Sequence, residues 1–475
     1  MFPLSFPLLV ALLAPTPSAA GNGRALAVLP GGLVRDGVPN GVLTAASRLG
    51  RPRPQDGPQV SQQPAWDLDR LRSTAEQIRS EIEELRGLAF KQPVRIELAD
   101  RDTFLEYTRA RLEANAGREE IELDGEVAVL LGLIPGDEDL YELTMKVLME
   151  QVGGFYDPHT ATFYIMDSVQ PELARVIMAH EFTHALDDQH HDLDGTAEAL
   201  AGNSDALLAH SAVVEGSGME LMLQWAAQHL TPSQLAEMVQ AQAELPTDAV
   251  AGAAPFVWKP LVAIYYQGQH FMRHQARIRP LSGFARMSDV DRALSDPPRS
   301  TEQVLHPVKY WSPEHVDEPR QVSIQVGHLP QGWSVAREDT FGELYAALLT
   351  TPFADRGGMN VSLVGLISLR FTNEAATGWG GDRYVLLHKG EGVLLHMSTR
   401  WDSIKDAQEF ALALQGLQSG IEASKARGQD TRAETRGLRV EHAGGDEVVI
   451  TSWIGLGAQE VQTALDAITF SERDI

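Results

Sequence analysis

Apolar and polar positions alternate with two different periods along this chain. From Trp66 to Arg86 the residues Leu68, Leu71, Ile78, Ile82 and Leu85 recur at helical spacing with charges between them, which predicts an amphipathic helix. Val94 to Leu98 alternates apolar and charged residues, the period of a half-buried strand. Helical patterns return around 102–115 and 138–152. From Phe155 to Ile165, aromatic and β-branched runs flank an Asp157-Pro158 turn, which predicts a β-hairpin. Pro171 and Glu172 open a long helix running to about His190, because proline suits the first turn and an acid suits its positive end. Asp192-Leu193-Asp194-Gly195 stops it. Asn203-Ser204-Asp205 is a capping cluster for a second long helix reaching about His229. Further helices are expected over 232–243 and 258–278, and an irregular stretch from Asp296 to about Pro319.

From 320 onward the pattern becomes strand, helix, strand, strand, helix, strand, strand, helix. The clearest pieces are Arg383–His388, Val393–Thr399, a helix Ser403–Gln415, Leu438–His442, Glu447–Ser452 and a last helix near 457–468. This reads as a separate α+β module over 320–475 behind a mainly helical domain over 65–319.

The first 64 residues fall into two segments that differ in kind. Met1 to Ala14 is almost wholly apolar and Ser18-Ala19-Ala20 offers small residues, so 1–20 reads as a signal peptide, and the chain as secreted or periplasmic. Residues 21–64 are rich in Gly, Pro, Arg and Gln and read as a flexible linker or pro-region. No later segment has the ~20 uninterrupted apolar residues of a membrane span. The net charge of −26 argues against nucleic acid as a partner, because counterion release needs clustered Lys and Arg. Cysteine is absent, which excludes disulfides and thiolate zinc sites. Any metal must therefore sit on His and carboxylate groups.

One stretch offers them at ligand spacing. In His180-Glu181-Phe182-Thr183-His184 the two histidines are one helical turn apart on one side of the predicted helix. That spacing lets both imidazoles reach one tetrahedral Zn²⁺ at ~2.0–2.1 Å. Glu181, beside the first His, can serve as general base toward water whose pKa zinc lowers to ~7. Two surface histidines on a solvated helix would be the plainer reading, but Phe182, Ala185 and Leu186 mark this helix as mostly buried. A third ligand is needed, with the fourth position left to water. Glu215, in Val213-Val214-Glu215-Gly216-Ser217-Gly218 on the next helix, is favoured, since a carboxylate among apolar neighbours needs a metal or a cation. His190, His191 and His210 are less well placed along their helices. Gly216 and Gly218 weaken a helix interior and suit either close approach of the two helices or a local kink.

With these residues in view, His-Glu-x-x-His followed by a Glu on the next helix resembles the gluzincin branch of zinc metallopeptidases. The run His180 to Gln189 with Val214-Glu215-Gly216, Ser300 to Pro307 and Gly378 to Tyr384 looks like a poorly characterised group of bacterial secreted metallopeptidases. The resemblance implies a zincin-like α+β domain, one Zn²⁺ per chain on His180, His184 and Glu215, Glu181 as general base, and a protein or peptide substrate. The gap from His184 to Glu215 is longer than in thermolysin-like enzymes, and Val214 stands where they carry Asn.

Supporting roles are assigned more loosely. Asp188, one turn after His184, could orient it. An oxyanion donor is sought among Tyr265, Tyr266 and His306, with His306 favoured for its loop setting before Pro307. Trp379 to Arg383 reads as a turn entering a strand. The rival to a peptidase is a zinc-binding scaffold or substrate-binding protein without turnover.

Overall fold

The computed structural model describes residues 4–5, 68–115, 117–136, 138–157, 160–244, 246–277, 283–361, 365, 368–426 and 436–473. The expected linker over 21–64 lies outside them, as does the expected leader apart from Leu4 and Ser5.

β1 (Leu4–Ser5) is a two-residue strand. In α1 (Leu68–Arg86) Leu71, Ala75, Ile78 and Ile82 are buried at spacings of three and four, the expected apolar stripe. β2 (Arg95–Ala99), α2 (Arg101–Asn115), α3 (Gly117–Leu130) and α4 (Leu140–Gln151) follow. The sequence pattern misses α3, because its first half is acidic and its buried residues crowd at its C-terminal end. β3 (Gly154–Asp157) and β4 (Thr162–Met166) form the expected antiparallel hairpin, with Phe155 opposite Tyr164. β2 joins β4 in parallel and β1 joins β3, giving the order β1-β3-β4-β2.

α5 (Pro171–His191) begins at its proline as expected and ends at Asp192, whose left-handed φ of 49° turns the chain. The Asp192 side chain then accepts from Gly195 N at the head of α6 (Leu193–Ala199). α7 (Ser204–His229) carries the expected Asn203 cap, which accepts from Ala206 N. α8 (Pro232–Ala243), α9 (Asp248–Gly252), α10 (Pro255–Met272), α11 (His274–Arg277) and α12 (Met287–Ser295) complete the helical layer. Two short helices, α13 (Thr301–Leu305) and α14 (Val308–Trp311), occupy the stretch expected to be irregular. A single turn or so is too short to display a periodic stripe.

The C-terminal part runs β5 (Gln321–Val326), β6 (Ser334–Asp339), α15 (Gly342–Thr350), β7 (Trp379–Lys389), β8 (Gly392–Trp401), α16 (Ile404–Ala426), β9 (Gly437–Glu441), β10 (Glu447–Ile454), α17 (Ala458–Leu465) and β11 (Ile468–Arg473). Its antiparallel sheet has the order β6-β7-β8-β10-β9, and β5 pairs with β11 in a separate ribbon. Trp379 to Arg383 is the start of β7 itself, with a bulge between Trp379 and Gly381. The chain is thus α+β. One apolar cluster runs through both parts, from Leu71, Phe182 and Trp225 to Leu348, Trp401 and Ile450. Among the described residues no helix is long and apolar enough to cross a membrane.

Candidate metal centre

The helical layer brings the three expected ligands together. α5 and α7 pack side by side, and both histidines of α5 face Glu215 of α7. His180 Nε2 lies 2.8 Å from His184 Nε2 and 3.1 Å from Glu215 Oε2, and His184 Nε2 lies 3.4 Å from the same oxygen. A tetrahedral zinc with bonds of ~2.0–2.1 Å sets its donor atoms about 3.3 Å apart. The three separations bracket that value, so the buried His180-His184-Glu215 group could hold a metal ion. Burial pushes the Glu215 carboxyl up. The charge of His184, with hydrogen bonds from both imidazoles and the charge of His180, outweighs burial and holds it below the ordinary carboxylate range. Glu181 is wholly buried beside His180.

Close helix approach rests on two glycines used differently. A Cβ on Gly218 would stand 2.6 Å from His180 Cε1 and 2.9 Å from His184 Cε1, so α7 reaches the imidazoles only because that position is bare. Gly216 faces a third helix. A Cβ there would stand 2.5 Å from the Gly268 carbonyl on α10, and one on Gly268 would stand 2.0 Å from the Ala212 carbonyl.

That crossing delivers Tyr265 of α10 to the centre. Its ring stacks on His180 with centroids 6.1 Å apart and planes at 26°. It is buried, and burial, then the charges of Glu215 and Glu181, push its pKa well above the ordinary phenol value. Tyr266, one residue on, points elsewhere: its ring is 6.1 Å from Phe371. His306 caps α13 and its Nε2 lies 2.9 Å from the buried Glu343 Oε1, which also accepts from Thr372.

Asp188 departs from its expected role. Its Oδ1 accepts from Leu193 N at the end of α5, while Nδ1 of His184 makes no hydrogen bond among the described residues. Asp188 is a helix-end cap, and burial, then the charge of Asp194, pushes its carboxyl up to about 6. Its neighbour Asp187 instead faces inward. Asp187 Oδ1 accepts from Arg86 Nε at 2.8 Å and Oδ2 from Ser217 Oγ at 2.5 Å, while Arg86 Nη2 donates to Asp291 at 2.6 Å. This network ties α1, α5, α7 and α12 together three residues after His184 and two after Glu215. The sequence carries no sign of it, since Arg86 and Asp187 are 101 positions apart.

A second acidic trio, Glu302, Asp317 and Asp402, already holds a cation. Lys309 Nζ lies 2.6, 2.6 and 2.9 Å from the three carboxylates.

A family model described as a domain of unknown function, DUF8575, matches residues 331–465, within the C-terminal part. No curated protein sequence matches the chain. Among solved structures, one titled as that of "a putative hydrolase with a novel fold" from Chloroflexus aurantiacus covers 51% of this chain and 92% of its own, at 18% identity and a TM-score of 0.30.

Proposed function

We propose that the chain is a zinc-dependent peptidase in which His180, His184 and Glu215 hold one zinc ion. The observation that carries this reading is the buried convergence of the three donor atoms, 2.8, 3.1 and 3.4 Å apart, from two helices. Two imidazoles and one carboxylate form a zinc set that leaves a fourth position open. Zinc, when bound, acts as a Lewis acid and lowers the pKa of water to about 7. In this reading Glu181 takes the proton of the attacking water and passes it to the leaving amine as the C–N bond breaks. The substrate is a protein or peptide, and the apolar N-terminus supports a secreted or periplasmic site of action.

Metal analysis of wild type, His184→Ala, Glu215→Ala and Glu181→Gln, with a peptide-library screen of each, tests this. The expected result is about one zinc per chain in wild type and Glu181→Gln, loss of zinc in the other two, and cleavage by wild type alone. No zinc in wild type, or zinc unaffected by Glu215→Ala, would sink the ligand set.

One feature favours a second reading. His180, Glu181, His184 and Glu215 are each at most 2% exposed, so a peptide reaches them only through an opening motion. A structural metal in a binding protein needs no such motion. In that case zinc would be present, Glu181→Gln would leave every measured property unchanged, and no peptide would be cut.

A further inference from the structure

We propose that a cavity between the head of α7 and the C-terminal sheet binds a free α-amino acid, its carboxylate on Arg383 and its ammonium on Glu338. Neither residue belongs to the metal reading above. The cavity has a volume of about 320 Å³, and its charged lining is Asp205, Arg299, Arg320, Glu338, Asp382 and Arg383. Cations and acids are balanced there, and several are already engaged within the protein. Arg320 gives Nε and Nη2 to Glu472 and Nη1 to Asp446. Asp205 accepts from Thr301 N and Oγ1, and Asp382 accepts from Phe341 N, Gly342 N and Trp379 Nε1.

Arg383 and Glu338, on the paired strands β7 and β6, are left over. Arg383 donates through Nη1 to Gly202 O at 2.7 Å and to Thr340 Oγ1 at 3.4 Å, both neutral. Those bonds hold the guanidinium in place and leave its Nε–Nη2 edge without an acceptor among the described residues. That edge matches a carboxylate with parallel hydrogen bonds. Glu338 is half-buried, and among the described residues its side chain makes no hydrogen bond and no ion pair, to Arg383 or to any other group. Two half-buried, unpaired charges of opposite sign on one cavity wall are complementary to a small ligand that carries both signs. An α-amino acid carries them on adjacent groups. Arg299, largely exposed and 3.6 Å from Glu318, offers the carboxylate a second cation at the rim.

The test is calorimetric titration of the full chain with each of the common amino acids, in the presence of a chelator so that a metal plays no part. Glycinamide and inorganic phosphate serve as probes that carry one sign of charge only. Arg383→Gln and Glu338→Gln are titrated alongside, with thermal unfolding to check that each folds. The expected result is an amino acid bound at millimolar concentration or below, more tightly than either single-charge probe. Each variant is expected to weaken it about 10-fold or more, the effect of losing one charged hydrogen-bond partner. If Arg383→Gln fails to fold for want of its bond to Gly202, Glu338→Gln still decides, because that side chain holds nothing in the protein. No amino acid bound, affinity unchanged in Glu338→Gln, or phosphate bound in preference would overturn the proposal. Failure of the metal reading leaves this outcome unchanged, since none of His180, His184 and Glu215 lines the cavity.

Discussion

Gly218 is the residue on which the centre's geometry turns most directly. Any side chain there meets both imidazoles at once, and His180 is already stacked on Tyr265. Gly218→Ala is expected to destabilise the fold by about 1–3 kcal/mol, the range for an extra methyl in a full core. It should also weaken metal binding, because the rings must rotate off Glu215. Denaturant unfolding and a metal titration of the variant check both effects. In the peptidase reading proposed above, the chemistry at this scale falls to Glu181. Glu181→Gln is expected to cut peptide hydrolysis by about 10²–10⁴-fold while metal content stays at the wild-type level. Retained cleavage would place the general base elsewhere.

Between helices, the register of α5 against α7 decides whether His180, His184 and Glu215 meet. Arg86, Asp187 and Ser217 pin that register. Arg86 and Asp187 are both almost wholly buried, and an ion pair at such a place has little water to replace it. Among the described residues, Asp187→Ala leaves the Arg86 guanidinium with the half-exposed Asp291 alone. Breaking one partner of a buried pair costs about 3–5 kcal/mol. The variant is expected to lose that much in urea unfolding and to bind zinc more weakly, though Asp187 touches no ligand. If stability falls but affinity does not, the network holds the fold without setting the site.

For the whole molecule, the head of α7 is gripped by the C-terminal part. Asp339, at the end of β6, accepts from Ser204 N at 2.7 Å. Asp205 accepts from Thr301 N and Oγ1, and Gly342, with φ at 81°, lies directly over its carboxylate. Asp382 accepts from Phe341 N and Gly342 N. Burial, against the Thr301 bond and with the charges of Asp382 and Glu343, pushes Asp205 up to about 7. An unfolded Asp releases its proton near 3.9. Between about pH 4 and pH 7 the folded chain therefore holds a proton that the unfolded chain has lost, and this group makes stability fall as pH rises through that window. Asp205→Asn is expected to flatten that fall without abolishing it, because burial also pushes Asp382 up to about 6. Urea midpoints of the two proteins from pH 4 to pH 7 check this, and parallel curves would refute it. Because this seam holds the helix that carries Glu215, the part matched by DUF8575 is joined mechanically to the candidate metal centre.

The sequence by itself determined what depends on near neighbours. His180 and His184 share a helix face because four residues make about one turn, and Pro171 and Asn203 open their helices by local backbone chemistry. Glu215 was legible as a candidate ligand because an acid amid Val213, Val214 and Gly216 has no local use, and the structure brings it to His180 and His184. The hairpin and the central strands of the C-terminal sheet were legible from their period. The edge strand β6, with Arg337 and Glu338, and the acidic helix α3 were not, since partly exposed elements need no clean apolar pattern. Tertiary structure alone decided which of Tyr265, Tyr266 and His306 stands beside His180, because the rotation and crossing of α10 choose between adjacent tyrosines. It alone joined Arg86 to Asp187, and turned Asp187 rather than Asp188 inward. Such pairings are set by the packing of whole helices, and their free energy is shared among contacts that no window of sequence contains.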